Sequence, residues 1–293
     1  GIGLGYGAYY TSSDYSAFNA SAYSTDSLGF STNLILPISE IQQLGLSLAV
    51  DQTELSIDTF SSQQLIDYVN SEGDSQQALT LGASWTRNTL NRGLFPTLGT
   101  LNQVSANIAV PPSDVTYGRI QYKFRYYNPI FLNLIFSTRN EIGALFAYGG
   151  TESSPPYQNF YAGGLNSVRG FKQNTLGPKA IYSSGFYVTN RPAGGAYLLE
   201  GGFDFIFNLP FLDDTRSIRS SFFLDYGNVF SDECKTYEIR CNEFDLGELR
   251  YSIGLGFTWI TALGPLSFSI SSALNSDEFD ETEGFQFEIG NQF

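Results

Sequence analysis

The chain offers little of the usual chemistry. None of its 293 residues is histidine, which removes imidazole metal sites and every histidine-based nucleophile. The acid pairs Asp213-Asp214 and Asp277-Glu278 fall in turn-like and loop-like stretches. There, solvated surface is the expected role, and no EF-hand spacing is present. Gly163, Gly164 and Gly170 make a glycine-rich stretch without the Lys-Ser/Thr of a phosphate-binding loop. No catalytic residue, metal or cofactor is therefore expected. Two constellations remain. Cys234 and Cys241 sit in a polar, charged stretch with nothing nearby to complete a metal site, so a small loop-closing disulfide is favoured over two free thiols. Arg169 stands in Ser167-Val168-Arg169-Gly170-Phe171, and two carboxylates, Asp204 and Asp225, follow at polar-face positions of the next two strand-like segments. A guanidinium can bind such a pair bidentately, which would latch a loop to a wall. Spacing alone favours the plainer alternative, three independently hydrated charges.

The segments that must position these groups alternate with period two. Ile120, Tyr122, Phe124 and Tyr126 interleave with Arg119, Gln121, Lys123 and Arg125, so one face is apolar and the other polar, as in a strand. The pattern recurs at 1–10, 30–36, 44–50, 79–85, 104–110, 142–148, 203–208, 218–226, 251–259, 266–271 and 284–293. That is about twelve strands and no amphipathic helix. No run of about 18 apolar residues exists, so no transmembrane helix is expected, whereas a membrane barrel alternates about ten residues at a time. Tyr126, Tyr127, Tyr148, Tyr226 and Trp259 lie near strand ends, where an interfacial girdle belongs. Connections read as short at 37–43, 111–114, 128–131, 210–215 and 261–265, and long at 51–77 and 151–195, the layout of an outer-membrane barrel. With 16% aromatic and 15% charged residues the chain is not disordered. A formal charge of −14 leaves no broad basic surface for nucleic acid.

A soluble sandwich or lipocalin-like barrel also alternates. A ring of about twelve strands, however, encloses a lumen rather than a filled apolar interior. The favoured fold is all-β: a transmembrane antiparallel β-barrel, one domain spanning 1–293. The long loop 151–195 holds Tyr157, Phe160, Tyr161, Val168, Phe171, Leu176, Ile181, Tyr182, Phe186 and Tyr187. It is too apolar for a solvated tether, and composition is consistent with either a plug in the lumen or a loop packed on itself at the surface. The chain begins Gly1-Ile2-Gly3, without methionine or a signal peptide, as expected of a processed chain or a fragment.

Several stretches resemble a known family. Tyr157-Gln158-Asn159-Phe160-Tyr161-Ala162-Gly163-Gly164, then Val168-Arg169-Gly170-Phe171, then Leu176-Gly177-Pro178-Lys179-Ala180 resemble the sixth extracellular loop of the BamA family of outer-membrane protein assembly factors. Asn91-Arg92-Gly93-Leu94-Phe95-Pro96-Thr97, Ser221-Phe222-Phe223-Leu224-Asp225-Tyr226-Gly227, Leu263-Gly264-Pro265-Leu266-Ser267-Phe268-Ser269 and Phe285-Gln286-Phe287-Glu288-Ile289-Gly290 are similar to the same family. The resemblance implies a Gram-negative outer-membrane protein that folds and inserts other β-barrels without nucleotide. It implies a loop arginine, Arg169, held by Asp204 and Asp225 beside Val168, Gly170 and Phe171. It also implies a weak seam at the last strand, with Phe285, Phe287, Ile289, Gly290 and the terminal aromatic Phe293. The family barrel has about sixteen strands, so residues 1–10 resemble its fifth, and its periplasmic POTRA repeats would lie outside this sequence. Expected partners are unfolded outer-membrane clients and the lipid bilayer, with assembly lipoproteins and periplasmic chaperones met through the part outside the chain. The rival readings are a passive porin-like channel and a related protein-translocating barrel. An enzyme is not expected.

Overall fold

The computed structural model describes residues 1–15, 23–58, 61–131, 133–182, 187–209, 217–238, 241–262 and 264–290. Phe293, Phe186, Asp213-Asp214 and the connection 210–215 lie outside the described residues. Twelve strands form one antiparallel sheet: β1 (Gly3–Asp14), β2 (Tyr23–Ser39), β3 (Gln42–Ile57), β4 (Ser75–Asn88), β5 (Gly99–Val110), β6 (Tyr117–Phe131), β7 (Leu134–Ala147), β10 (Tyr197–Phe207), β11 (Ile218–Phe230), β12 (Arg250–Thr261), β13 (Gly264–Ala273) and β14 (Phe285–Ile289). Each pairs with its predecessor in the chain, except that β7 pairs directly with β10. The intervening segment is the long loop, which carries its own hairpin, β8 (Lys179–Tyr182) and β9 (Tyr187–Pro192). Among the described residues β1 and β14 are the two edges of the sheet.

Alternation explains the two faces. In β12, Tyr251, Leu255 and Trp259 are exposed on one side, while Arg250 and Ser252 are buried on the other. Exposed outward residues recur along the sheet (Leu4, Phe30, Leu48, Leu81, Ile120, Ile142, Phe205 and Phe222). This apolar exterior with a polar interior is the pattern of a membrane barrel wall. No helix among the described residues is long and apolar enough to cross a membrane.

Three expectations need correction. First, the segment 51–77 contains a helix, α1 (Gln63–Glu72). Ser62 caps it, its Oγ accepting from the Leu65 amide at 3.4 Å, and Gly73 at φ 87° ends it with its amide on the Val69 carbonyl. Leu65 and Tyr68 pack against Tyr23 and Leu55. The helix spans ten residues, and its apolar stripe is too short for a 3.6-residue period to stand out. Second, the short connection 111–114 lies at the same end as the long loops, because antiparallel alternation puts the β5–β6 join beside the β3–β4 join. The longer connection 89–98 lies at the turn end. It is folded on itself: Asn91 Oδ1 accepts the amides of Thr97 and Leu98, and the Arg219 guanidinium stacks on Phe95. Third, the terminal strands differ in extent from the period-two reading. β1 runs to Asp14, because the partner strand β2 continues to pair with it beyond the glycine-rich start. β14 is described over Phe285–Ile289, and residues 291–293 of the expected last strand lie outside the described residues.

The main apolar core lies on the inner face at the loop end, not between two sheets. There the inner-face pattern of the strands turns apolar, at Ala109, Tyr117, Leu145, Leu198 and Val229. Phe160, Ala162, Val168, Phe171 and Leu176 of the long loop fill the space against them. Burying this much apolar surface is what brings the loop inward, which decides between plug and surface loop.

Cys234 and Cys241 are joined by a disulfide, with Cα atoms 5.6 Å apart, in the connection between β11 and β12. That connection rests on α1. Tyr237 donates its hydroxyl to Asp67, Gln63 Nε2 donates to Asp67 at 2.6 Å, and Lys235 Nζ lies 3.5 Å away. Burial alone would raise the Asp67 pKa, but these donors outweigh it and hold the carboxyl below its ordinary range. A depressed carboxylate contributes stability above its unfolded pKa of about 3.9, and loses it as pH falls through the lower folded value. Protease resistance of residues 231–249 should therefore hold from neutral pH down to about 4 and fall below it. Asp67→Asn should weaken it at neutral pH by no more than about 1 kcal/mol, because the pair is half exposed. Limited proteolysis at stepped pH measures both.

Candidate functional site

Asp204 on β10 and Asp225 on β11 share the inner face. In the register Gly202 stands opposite Asp225, and Asp204 opposite Phe223, so the carboxylates are diagonal neighbours. Arg169 reaches both from the long loop. Its Nε donates to Asp225 Oδ2 at 2.6 Å and its Nη2 to Asp225 Oδ1 at 2.8 Å. The same Nη2 donates to Asp204 Oδ1 at 3.1 Å. The Arg169 backbone amide adds a further bond to Asp225 Oδ2 at 3.1 Å. The Asp225 side chain is fully buried and those of Arg169 and Asp204 nearly so. The three residues singled out by spacing are thus one cluster, not separately hydrated charges.

The strands supply two further partners that sequence reasoning missed. Phe223 is fully buried at an inner-face position, with the Arg169 guanidinium carbon 3.4 Å above its ring centroid, so carboxylates meet the cation's N–H edge while a π face covers one side of its plane. Arg139 on β7 places Nη2 3.1 Å from Asp225 Oδ1 and also donates to the carbonyls of Asn166 and Ser167. Two guanidiniums therefore face two carboxylates. The balance matters, because a buried ion is tolerable only when paired and hydrogen-bonded. The signals were present: an aromatic at inner-face parity in Ser221-Phe222-Phe223 and a cation at inner-face parity on β7. The first reads alone as a chance break in alternation, and the second as one more polar residue on a polar face.

Backbone geometry explains the neighbours of Arg169. Gly170 has φ 91°, and a Cβ there would lie 3.3 Å from both Ser252 Cβ and Ser271 Oγ. The loop therefore lies flush on β12 and β13 only with glycine at this position. Val168 and Phe171 on either side are fully buried. Ser167 turns the other way, donating Oγ to Glu200 of β10 and accepting from the Gly163 amide at 2.8 Å. Further along, Arg119 stacks on Phe160 at 4.1 Å and donates to the Gln158 carbonyl at 3.1 Å.

The last-strand residues stand apart from this cluster. Phe285, Phe287 and Ile289 point outward and are 60%, 54% and 61% exposed, while Gln286 between them is buried on the inner face. Gly290 follows at φ 144°. The disulfide lies away from the cluster, in the β11–β12 connection. The arrangement holds charge in place. What it can do is fix a loop against a wall.

The amino-acid sequence matches the Omp85 superfamily domain across residues 1–293. The chain belongs to the Omp85 superfamily. This Omp85 chain is 29% identical to the outer membrane protein assembly factor BamA of Neisseria meningitidis serogroup B, aligned over all of the chain and 40% of that protein. It superposes on BamA from Haemophilus ducreyi lacking POTRA domains 1–3 with a TM-score of 0.92 and 30% identity, covering 98% of this chain and 58% of that one. It is also 31% identical over 144 residues to the sorting and assembly machinery component 50 homolog of Mus musculus. The chain thus spans about two fifths of the curated bacterial relative and 58% of the solved one. The family resemblance carried by the loop motif is borne out, as is the all-β barrel fold. As an Omp85 chain with this lipid-type exterior, it is an integral outer-membrane protein.

Removing one partner of the buried cluster should be severe. Asp225→Asn leaves two guanidiniums against one carboxylate and should destabilise the loop–wall contact by about 3–5 kcal/mol. Arg169→Glu should expose residues 151–195 to protease in outer-membrane vesicles. Unchanged digestion of that loop in both variants would show that the ion cluster does not hold it.

Proposed function

We propose that this chain is the membrane-embedded part of an outer-membrane protein assembly factor, which folds and inserts client β-barrels at a weak seam along its last strand. The observation that carries the reading is the edge. Among the described residues β14 pairs with β13 over Phe285–Ile289, with the Ser271 amide on the Gly284 carbonyl and the Gly290 amide on the Pro265 carbonyl at its two ends, beside strands of up to 17 residues. An unpaired edge within lipid leaves backbone donors and acceptors unsatisfied, so a short, weakly held edge readily accepts an added strand. The name and structure of the BamA relatives support the same reading. A passive pore fits less well, because the loop-end apolar core occupies the inner face where an open pore would need water.

In this reading unfolded outer-membrane clients dock along β14, and the apolar exterior faces a bilayer disturbed beside it. Assembly lipoproteins and periplasmic chaperones act through the portion of the relatives that this chain does not span. No nucleotide, cofactor or catalytic group takes part. Release of the loop motif, held by Arg169, Asp204 and Asp225, governs how firmly the neighbouring wall is braced.

A photo-crosslinking residue placed at Phe287 of the full-length protein tests the seam. Arrested client barrels should be captured there and not at Phe222, an outward position on β11. Capture of lipid alone at Phe287, with a steady ion conductance and no loss of client insertion when the protein is depleted, would favour the channel instead.

A further inference from the structure

We infer that Gln286 is a positioning residue that couples the loop motif to the last strand, so that the loop which grips β11 also holds the edge at β14. The inference deepens the seam reading and rests on it. Gln286 is the buried, inner-face residue of β14, in register with Ser269 of β13. Its Oε1 accepts the Gly170 amide at 3.1 Å, and its Nε2 donates to the Phe171 carbonyl at 2.7 Å. One primary amide thus clasps two successive residues of the loop motif as another strand would.

The clasp begins at the residue next to the ion cluster. The Arg169 amide donates to Asp225 on β11 and the Gly170 amide donates to Gln286 on β14. Adjacent peptide groups of one rigid, glycine-dependent turn therefore tie two strands separated by β12 and β13. The tie extends on both sides. The Glu283 amide donates to the Gly170 carbonyl at 2.9 Å, Phe171 bridges to Thr282, and the Lys172 amide donates to the Glu281 carbonyl at 2.8 Å. Lys172 Nζ lies 2.8 Å from Glu281 Oε2, and Asn166 Nδ2 donates to Glu288 Oε2 at 3.0 Å.

Among the described residues β14 pairs with β13 over five register positions, so these loop contacts add substantially to what holds it. A buried amide stripped of both partners also loses more than the bonds themselves, because its polar atoms stay desolvated. Loosening the loop motif must therefore loosen the edge, and loosening the edge must loosen the motif. Such reciprocity follows from any coupling free energy.

Hydrogen exchange on the full-length protein in outer-membrane vesicles tests this. Gln286→Met keeps the volume and removes both bonds. It should speed exchange of residues 285–289 and of 168–172 together, on the order of tenfold, with β6 unchanged. Arg169→Lys, made in the loop, should speed exchange of 285–289 in turn. Acceleration confined to the substituted segment in either variant overturns the coupling, since a residue that merely packs its own strand leaves the loop untouched. If Gln286→Met does not assemble, Asn166→Asp sets a carboxylate against Glu288 at an exposed contact and should give the same paired acceleration more weakly. An unchanged 285–289 segment there overturns the inference. Client insertion is read separately, in a protein tied by Asn166→Cys with Glu288→Cys. Paired exchange together with normal insertion in the tied protein upholds the coupling and counts against the seam reading alone.

Discussion

A carboxylate with no solvent contact, on the inner wall of a membrane protein, sets the terms for much of this structure. Asp225 is stable as an anion only because guanidinium groups reach it, one from the neighbouring wall and one from a loop more than fifty residues earlier in the chain. Desolvating such a group without partners would cost several kcal/mol. The loop must therefore enter, Arg169 must turn toward β11, and the residue after it must be a glycine so that the backbone fits against β12 and β13. The aromatic under the guanidinium and the second carboxylate on β10 complete a cluster with no net charge.

The inner face is divided in consequence. Midway along the strands it carries charged and polar groups, among them Lys123 paired with Glu141 at 3.1 Å. At the loop end the same face is apolar and covered by the loop's own Phe160, Phe171 and Leu176. The two halves reinforce each other. The apolar packing excludes water from the motif, which strengthens the ion pairs, and the ion pairs select one register for a loop that apolar packing alone would hold loosely.

The edge strand shows what such bracing would do in the proposed seam. Most strands are held by two long ladders, but among the described residues β14 pairs on one side only, over Phe285–Ile289. A strand so placed is held in part by side-chain and loop contacts, which can be exchanged without breaking the sheet. That is the physical requirement for a seam that opens and closes. The superposition on BamA from Haemophilus ducreyi extends over nearly the whole chain, so the loop, the wall and the edge are part of a geometry the two structures share.

The twelve strands of the main sheet and their inward and outward faces were legible in the sequence, because period-two alternation is a local signal. Arg169 was legible as a candidate, but its tie to Asp204 and Asp225 came from the loop motif's resemblance, since spacing alone favoured separately hydrated charges. Helix α1 was not, since its apolar stripe is too short to separate from noise. Nor was the placement of the apolar core on the inner face, because each contributing residue, such as Leu198 or Val229, looks like a single lapse in its own strand. Phe223, Arg139 and Gln286 had the correct parity but no visible partner. By itself the sequence determined which residues could face lipid and which could face the interior. Only the tertiary structure decided which of the interior groups meet, because charge pairing and water exclusion depend on distances across strands that alternation along one strand does not encode.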